Sequence, residues 1–245
     1  MGLKRAIRHA WNPDLHRAKS YVAANKVSGA SQFEILKREG LKPSSKLLEI
    51  GCGCLNAGEY FIEYLDRGNY VGVDPNEWLR EAAMKLRNLR RLIADKKSTF
   101  LSDAKFDASS LGMNFDYIFS HSVLSHAAHW QLDQYLENSK RVLAPNGVML
   151  ASIRLAEGNS YGSGGSPNKS DSMDKEWVYP GVSWFKLSTI AEAAAKQGLK
   201  VVHKPEYTEY HIKHRSGEIH DWVVFYEILA VSGRTLLLAP PDQKT

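Results

Sequence analysis

Short apolar runs alternate with amphipathic segments along most of the chain. The apolar runs begin near Leu47, Tyr70, Thr99, Phe115 and Val148, and each stops at a glycine or a polar residue. Runs of this length are typical of strands buried in a parallel sheet. The segments between them carry apolar residues at helical spacing. The alternation predicts an α/β fold whose sheet is mostly parallel.

The helical periodicity predicts several helices before and after these strands. We expect helices over 31–39, 78–93 and 187–197, and an irregular stretch over 12–30. Near the start, 3–11 has one apolar and one basic face. This segment is expected to dock on the protein surface, with or without a role as a lid.

The stretch from Lys46 to Gly58 carries the most informative pattern. Its apolar residues predict a strand that ends at Ile50, and Gly51 and Gly53 follow at once. Glycine allows positive φ and lets a ligand approach the backbone closely. A helix is predicted from Gly58 onward. A strand, a glycine turn and a helix N-terminus together favour binding of an anionic group.

Asp74 ends the next apolar run, at the interval where dinucleotide folds place an acid that binds ribose. Its carboxylate can accept hydrogen bonds from both ribose hydroxyls. The turn and the acid together predict a cofactor that contains a nucleoside. A nicotinamide or flavin fingerprint is excluded, because its third glycine or alanine would fall on Asn56.

Glu49-Ile-Gly51-Cys-Gly53 resembles motif I of the class I S-adenosylmethionine-dependent methyltransferases, and Asp74 matches their ribose-binding acid. The chain departs from many members at Leu55, where they have a third glycine. The resemblance implies an α/β, Rossmann-like sheet of seven strands, mostly parallel with an antiparallel last strand and with helices on both faces. It also implies S-adenosylmethionine as the cofactor.

The resemblance further assigns a set of residues to the cofactor. Asp103, just after the third strand, corresponds to the acid that accepts a hydrogen bond from the adenine amino group, with Asp107 as the alternative. The predicted cofactor-binding residues are Glu49, Gly51, Cys52, Gly53, Asp74, Asp103 and Ser120.

The tip of the fourth strand is Ser120-His-Ser, where enzymes that methylate planar amino groups have Asn-Pro-Pro-Tyr or Asp-Pro-Pro-Tyr. The pattern is more similar to that of small-molecule and sugar O-methyltransferases. A hydroxyl nucleophile needs its proton removed, which suits a histidine. His121 and His126 are the predicted catalytic bases. The residues predicted to contact the substrate are Tyr21, His129, Trp177 and Trp184.

Other functions are compatible with the same motifs. The nucleophile could be a thiolate or an amine, which needs less base catalysis. A basic N-terminal arm raises the possibility of an RNA-modifying enzyme, although the basic helix face over 85–91 lacks the interleaved aromatic residues of a nucleic-acid surface. A module that binds the cofactor without catalysis is the third alternative.

Composition narrows these choices. The net charge is +5, but residues 1–46 contain ten Lys or Arg and three Asp or Glu, so they carry +7 and the remainder −2. We therefore expect a small-molecule substrate and no nucleic-acid partner. No apolar run or signal peptide indicates membrane insertion or export, and Cys52 and Cys54 are too close together to bridge, so a cytoplasmic location is expected.

No metal site is predicted. The pair Cys52 and Cys54 lacks further ligands nearby, and the second histidine group, His211, His214 and His220, lacks accompanying carboxylates at the fourth strand. The predicted organisation is an N-terminal helical arm over 1–45, a methyltransferase-like domain over 46–232 with an insertion at about 155–183, and a tail over 233–245. Two interpretations of the insertion stay open: a lid or wall of the substrate site, or a mobile insertion with no role.

Overall fold

The structure is a computed structural model that describes residues 13–22, 26–162, 172–173, 181–213, 220–227, 229–231 and 234–236. Twelve strands lie within these residues. They are β1 Leu47–Ile50, β2 Tyr70–Val73, β3 Thr99–Leu101, β4 Phe115–Ser120, β5 Leu143–Ile153, β6 Ser160–Gly162, β7 Ser172–Met173, β8 Val182–Trp184, β9 Leu199–His203, β10 Asp221–Glu227, β11 Leu229–Val231 and β12 Arg234–Leu236.

Seven strands form one sheet in the order β3-β2-β1-β4-β5-β10-β9. The pairs from β3 to β5 are parallel, and β10 pairs antiparallel with both of its neighbours, β5 and β9. The predicted fold class is confirmed. A helix over Pro205–Lys213 lies between β9 and β10 in the chain.

The described residues contain eight α-helices. They are α1 Pro13–Tyr21, α2 Lys26–Arg38, α3 Gly58–Tyr64, α4 Glu77–Met84, α5 Arg87–Lys96, α6 His129–Val142, α7 Leu187–Lys196 and α8 Pro205–Lys213. Short 3-10 turns occupy Ser109–Leu111 and Leu124–His126. The predicted helix over 3–11 lies outside the described residues.

Two helix predictions are wrong. The stretch over 12–30 is not irregular, since it contains α1 and the first turn of α2. The single helix expected over 78–93 is two helices, because Leu86 has extended backbone angles, φ −74° and ψ 112°. Leu89 and Ile93 are buried on the inner side of the second helix. The apolar spacing continues across the break, so periodicity alone could not reveal it.

Both faces of the sheet are covered by apolar clusters. Neighbouring residues of β1 point to opposite sides, with Leu47 packed near Phe61 on one face and Leu48 packed near Leu136 on the other. All of these side chains are fully buried. Burial of one such side chain contributes about 1.5–3 kcal/mol. The core therefore fixes the positions of the carboxyl ends of the parallel strands. The residues that follow these ends form the site described below.

The predicted insertion over 155–183 contains a small sheet rather than a loop in its described part. Here β6 pairs with both β7 and β8. Two hydrogen bonds tie it to the segment after β4: the Ser183 hydroxyl donates to the Ala127 carbonyl, and His126 contacts the Gly181 carbonyl. The insertion is thus docked beside the strand tip that carries the histidines.

The end of the chain contains more structure than expected. Strand β10 ends at Glu227, and β11 pairs with β12 as a separate hairpin. That hairpin spans the predicted boundary between 232 and 233. In the part of the chain that the structure describes, no helix is both long and apolar enough to cross a membrane.

Candidate functional site

A cavity of about 490 Å³ opens at the carboxyl ends of the parallel strands. Segments that directly follow β1, β2, β3 and β4 line it, which is where open α/β sheets bind ligands. It brings together most of the residues predicted from the sequence. Those at its wall are Tyr21, Glu49, Gly51, Cys52, Gly53, Asp74, Asp103, His121 and His126.

The glycine turn is held tightly against its neighbours. Gly51 has φ +75° and Gly53 has φ +48°, and the amide of Gly51 donates to the Val73 carbonyl over 2.7 Å. A Cβ atom at Gly51 would lie 2.3 Å from Cγ2 of Val123. Leu55, where many similar motifs have a third glycine, also has positive φ, at 60°. Leu55 therefore adopts the left-handed backbone conformation that glycine favours, which costs about 1–2 kcal/mol for a residue with a side chain.

Asp74 connects the turn to the tip of β2. Its Oδ2 accepts a hydrogen bond from the Gly53 amide over 2.9 Å, and its Oδ1 accepts one from the Asn76 amide over 2.8 Å. The residue is only 7% exposed. Burial raises the pKa of Asp74, and the amide hydrogen bonds oppose this rise. Each carboxylate oxygen retains a lone pair for a hydroxyl ligand.

Glu49 lies beneath the turn, in contact with the same cavity. The Tyr70 hydroxyl donates to its Oε2 over 2.5 Å. Burial raises the pKa of Glu49 to about 8, while the Tyr70 hydrogen bond acts in the opposite direction. A Cβ atom at Gly58 would lie 2.7 Å from the Tyr70 oxygen and 3.0 Å from Oε2 of Glu49. Glycine at position 58 is thus needed to make room for this pair.

The two cysteines of the turn are buried free thiols. Burial raises the pKa of Cys54 to about 11 and that of Cys52 well above its usual range. Both side chains therefore pack as neutral thiols, with Cys52 Sγ close to Gly72. Among the described residues, no three side chains of His, Cys, Asp or Glu come together as a possible metal site.

Asp103 follows β3 at the wall of the cavity. Its Oδ1 accepts hydrogen bonds from the amides of Lys105 and Asp107 over 2.6 and 3.0 Å, which shapes the turn. Its Oδ2 has no hydrogen-bond partner within the described part of the chain. The alternative residue, Asp107, accepts from Ser109 and does not line the cavity. The position of Asp103 makes it the acid available to a ligand.

His121 and His126 lie at the tip of β4 and in the loop after it, and both line the cavity. The ring of His121 stacks on Trp222 at 5.5 Å and lies 5.1 Å from the ring of His220. Nδ1 of His220 is 3.3 Å from the Ser152 hydroxyl. His121 is therefore embedded among aromatic rings on its inner side. His211 and His214, grouped with His220 in the sequence, lie outside the described side chains.

Nδ1 of His126 lies 2.7 Å from the carbonyl oxygen of Gly181. A carbonyl can only accept, so Nδ1 carries the proton. In the neutral ring, Nε2 is then the basic nitrogen. The ring of Tyr161 occupies the space that a Cβ atom at Gly181 would need, at a distance of 2.1 Å from the Tyr161 oxygen. Gly181 thereby allows the insertion to reach His126.

Four predicted residues do not join this group. The Ser120 hydroxyl is fully buried against the Tyr135 hydroxyl at 3.0 Å and is not part of the cavity wall. His129 stacks on Phe185 at 4.3 Å, and Trp184 lies under the Arg154 guanidinium. Neither lines the cavity. The fourth residue, Trp177, lies outside the described residues.

Residues 48–149 match a family model described as a methyltransferase domain. That range includes most of β1, all of β2 to β4, the glycine turn and every cavity segment that follows these strands. The chain resembles known methyltransferases over this range. Over 142 residues it is 25% identical to the sterol 24-C-methyltransferase of Schizosaccharomyces pombe, which covers 57% of this chain. The aligned part spans only 36% of the length of that relative.

Solved methyltransferase structures share the fold of this chain. The glycopeptide N-methyltransferase MtfA complexed with S-adenosylmethionine has a TM-score of 0.59 at 12% identity, covering 81% of this chain and 94% of that one. The CcbJ methyltransferase of Streptomyces caelestis has a TM-score of 0.59 at 11% identity, covering 84% and 97%. Magnesium protoporphyrin IX methyltransferase of Synechocystis PCC 6803 with bound S-adenosylmethionine has a TM-score of 0.55 at 12% identity, covering 82% and 79%.

The cavity also has lining residues that were not predicted from the sequence. Ser28 and Gln32 project from α2, where Gln32 Nε2 donates to the Ser28 hydroxyl over 2.8 Å. Gln131 projects from the first turn of α6. Ser28 was not predicted, because the stretch over 12–30 was expected to be irregular. Gln131 had a usable signal, since Gln is favoured three residues after a helix cap.

Proposed function

We propose that the protein transfers the methyl group of S-adenosylmethionine to a hydroxyl group of a small polar metabolite or sugar. The observation that carries this proposal is the shared cavity. The glycine turn and Asp74 line the same cavity as the imidazole rings of His121 and His126. This arrangement supports a cofactor and an acceptor lying together in one cavity.

The residues at the wall fit the proposed cofactor. Gly51, Cys52 and Gly53 line the cavity, so a ligand there would lie against the backbone of the turn. The remaining lone pairs of Asp74 suit the ribose hydroxyls, and Oδ2 of Asp103 suits the adenine amino group. When bound, S-adenosylmethionine supplies a methyl group already activated by its sulfonium.

The acceptor hydroxyl needs a group that removes its proton. His126 is our leading candidate, since its Nδ1 proton is held by the Gly181 carbonyl and its neutral Nε2 can accept. The ring takes the proton from the hydroxyl at Nε2 and becomes an imidazolium that remains bonded to Gly181. This bond restricts rotation of the ring, which reduces the entropy lost on alignment.

His121 has a different part in the proposal. Its contacts with Trp222 and His220 hold the ring at the strand tip, next to the cavity. There it limits the space open to water and orients the acceptor. The docked insertion, through Gly181 and Ser183, holds the segment after β4 that carries His126.

The proposal is tested by following radiolabelled methyl transfer to a panel of sugars, hydroxylated metabolites, thiols and amines. We expect label on the hydroxyl compounds. His126→Asn retains a side-chain donor for the Gly181 carbonyl but lacks a base, so it should lower kcat by about 100-fold. Transfer to thiols or amines alone, with turnover unchanged in His126→Asn, would show that the acceptor atom and the base are wrong.

A further inference from the structure

The segment just after β4 contains a backbone conformation that serine rarely adopts. Ser122 directly follows His121 and has φ +60°, in the left-handed region where a side chain crowds the backbone. Both residues line the cavity. A residue other than glycine keeps this conformation only where the surrounding structure fixes it, and such positions cluster at functional sites. The contacts that fix Ser122 are therefore informative about the site.

A buried hydroxyl on the neighbouring strand supplies one of these contacts. The backbone amide of Ser122 donates to Oγ of Ser152 over 2.8 Å. Ser152 lies in β5 and is fully buried. Its Oγ also lies 3.3 Å from Nδ1 of His220, the residue just before β10. A hydroxyl can accept one hydrogen bond and still take part in another, so Ser152 connects the tip of β4 to the start of β10.

The residues on either side of this left-handed serine pack against different parts of the fold. The ring of His121 lies 5.1 Å from the ring of His220 and stacks at 5.5 Å on Trp222 of β10. Val123 packs on the glycine turn, since a Cβ atom at Gly51 would lie 2.3 Å from its Cγ2. The serine between them therefore links a ring held by β10 to a side chain held by the turn, and its φ angle sets the geometry between the two.

We propose that Ser152 is a positioning residue for the methyl-transfer step. Its hydroxyl holds the Ser122 amide, which keeps the left-handed turn and so orients His121 at the cavity wall. Misplacement by 1 Å of a group that aligns a substrate can lower the rate by about 100-fold. The inference rests on the proposed function, in which His121 orients the acceptor. It adds a residue that acts from behind the cavity wall, since Ser152 itself does not line the cavity.

Three variants separate positioning from general stability. Ser152→Ala removes the oxygen that accepts from the Ser122 amide. Ser152→Ala/Ser122→Gly places glycine at the turn, and because glycine adopts positive φ readily, the turn should re-form in part without the hydroxyl. Ser139→Ala is the matched control. Ser139 is a fully buried serine of α6 whose hydroxyl has no hydrogen-bond partner in the part of the chain that the structure describes.

A spectroscopic test of the position of His121 needs no acceptor. In protein isotope-labelled at histidine, ring currents from Trp222 and His220 should shift the ring-proton resonances of His121 away from their usual positions. The loss of these resonances in His121→Gln assigns them. We expect them to move towards the usual positions in Ser152→Ala and to return in part in Ser152→Ala/Ser122→Gly. They should stay in place in Ser139→Ala.

Radiolabelled methyl transfer to methyl hexopyranosides measures the effect on catalysis, with calorimetry of S-adenosylmethionine binding alongside. In Ser152→Ala, kcat should fall by at least about tenfold, because the acceptor is no longer aligned. The affinity for the cofactor should change little. Ser152→Ala/Ser122→Gly should recover part of the lost kcat, and Ser139→Ala should behave like the wild type.

Unmoved His121 resonances in Ser152→Ala, an unchanged kcat, or a loss of kcat that Ser122→Gly does not recover would each overturn the inference about Ser152. Absence of cofactor binding by the wild type, or of transfer to any hydroxyl compound, would contradict the proposed function instead. The His121 resonances would then still decide whether Ser152 sets the position of the ring.

Discussion

The backbone amide of Gly53 donates a 2.9 Å hydrogen bond to the carboxylate of Asp74, although the two residues are 21 positions apart in the chain. This bond joins the glycine turn after β1 to the tip of β2. The same carboxylate therefore shapes the turn and offers lone pairs to a ligand. Loss of Asp74 should disturb both ends of the proposed cofactor site.

Asp74→Ala should weaken binding of S-adenosylmethionine by at least about tenfold, because it removes charged hydrogen bonds to the ligand and the clamp on Gly53. Asp74→Asn keeps one acceptor oxygen, so its affinity for S-adenosylmethionine should fall less than that of Asp74→Ala. Calorimetric titration measures both affinities. Asp95→Asn, on the exposed side of α5, is the matched control. Equal affinity in Asp74→Ala and the wild type would exclude Asp74 from the site.

Gly51→Ala should lower the free energy of unfolding through two separable effects. The positive φ costs about 1–2 kcal/mol, and the new methyl group also collides with Val123. Gly112→Ala isolates the first effect, since Gly112 has φ +60° but nothing within 4 Å of an added Cβ atom. Urea unfolding should show the larger loss in Gly51→Ala and partial recovery in Gly51→Ala/Val123→Ala. Equal losses at both glycines would contradict the tight packing of the turn.

Glu49 should make stability fall as pH rises. Burial lifts its pKa from 4.5 to about 8, so between these values the native state holds a proton that the unfolded state has released. The free energy of unfolding therefore decreases with pH across that window. Glu49→Gln should flatten this slope, and Glu63→Gln, an exposed residue of α3, should leave it unchanged. Urea unfolding at the two ends of the window measures the difference. An identical slope in wild type and Glu49→Gln would refute the assignment.

The same protonation should affect cofactor binding in the opposite direction. A cationic ligand favours the ionised form of Glu49, which lines its cavity, so binding should release a proton and tighten with rising pH. Calorimetry in buffers of different ionisation enthalpy counts the released protons. Proton release should disappear in Glu49→Gln.

An ion pair between a partly buried lysine and a buried glutamate lies at the end of α2, away from the cavity. Nζ of Lys204 lies 3.1 Å from Oε1 of Glu39, and the hydroxyls of Tyr207 and Tyr226 donate to the same carboxylate. Removal of one partner from a buried pair costs about 3–5 kcal/mol. Lys204→Met should therefore be strongly destabilising in urea unfolding, and Lys204→Met/Glu39→Gln should recover part of the loss.

Lys196→Met is the control for this pair, since Lys196 and Asp133 form an exposed contact at 3.3 Å. Exposed pairs contribute about 1 kcal/mol or less, so its effect should be small. Similar losses from Lys204→Met and Lys196→Met would contradict the structural role of Glu39.

The sequence was sufficient to predict the sheet and that Gly51, Asp74 and Asp103 lie together at the cavity. Buried strands have short apolar runs, and a turn with close ligand approach needs glycine, so β1, Gly51 and Asp74 were recognisable from local pattern alone. Asp103 was placed correctly because it ends an apolar run. The position of each depends on residues near it in the chain, which is why the prediction succeeded.

The arrangement of side chains around His126 and Ser120 depends on long-range contacts that the local sequence pattern does not encode. The basic nitrogen of His126 is set by the Gly181 carbonyl, 55 residues away. The Ser120 hydroxyl lies against Tyr135 instead of the cavity, which follows from side-chain packing in the core. The break between α4 and α5 at Leu86 does not interrupt the helical spacing of apolar residues. These features arise from tertiary structure, so sequence reasoning could not supply them.

The central claim is that the glycine turn and Asp74 together bind S-adenosylmethionine. Isothermal titration of the purified full-length chain with S-adenosylmethionine tests it most directly, with Asp74→Ala measured alongside. We predict saturable heat at one site per chain for the wild type and binding at least about tenfold weaker for Asp74→Ala. No heat with the wild type, or equal binding by both proteins, would contradict the account.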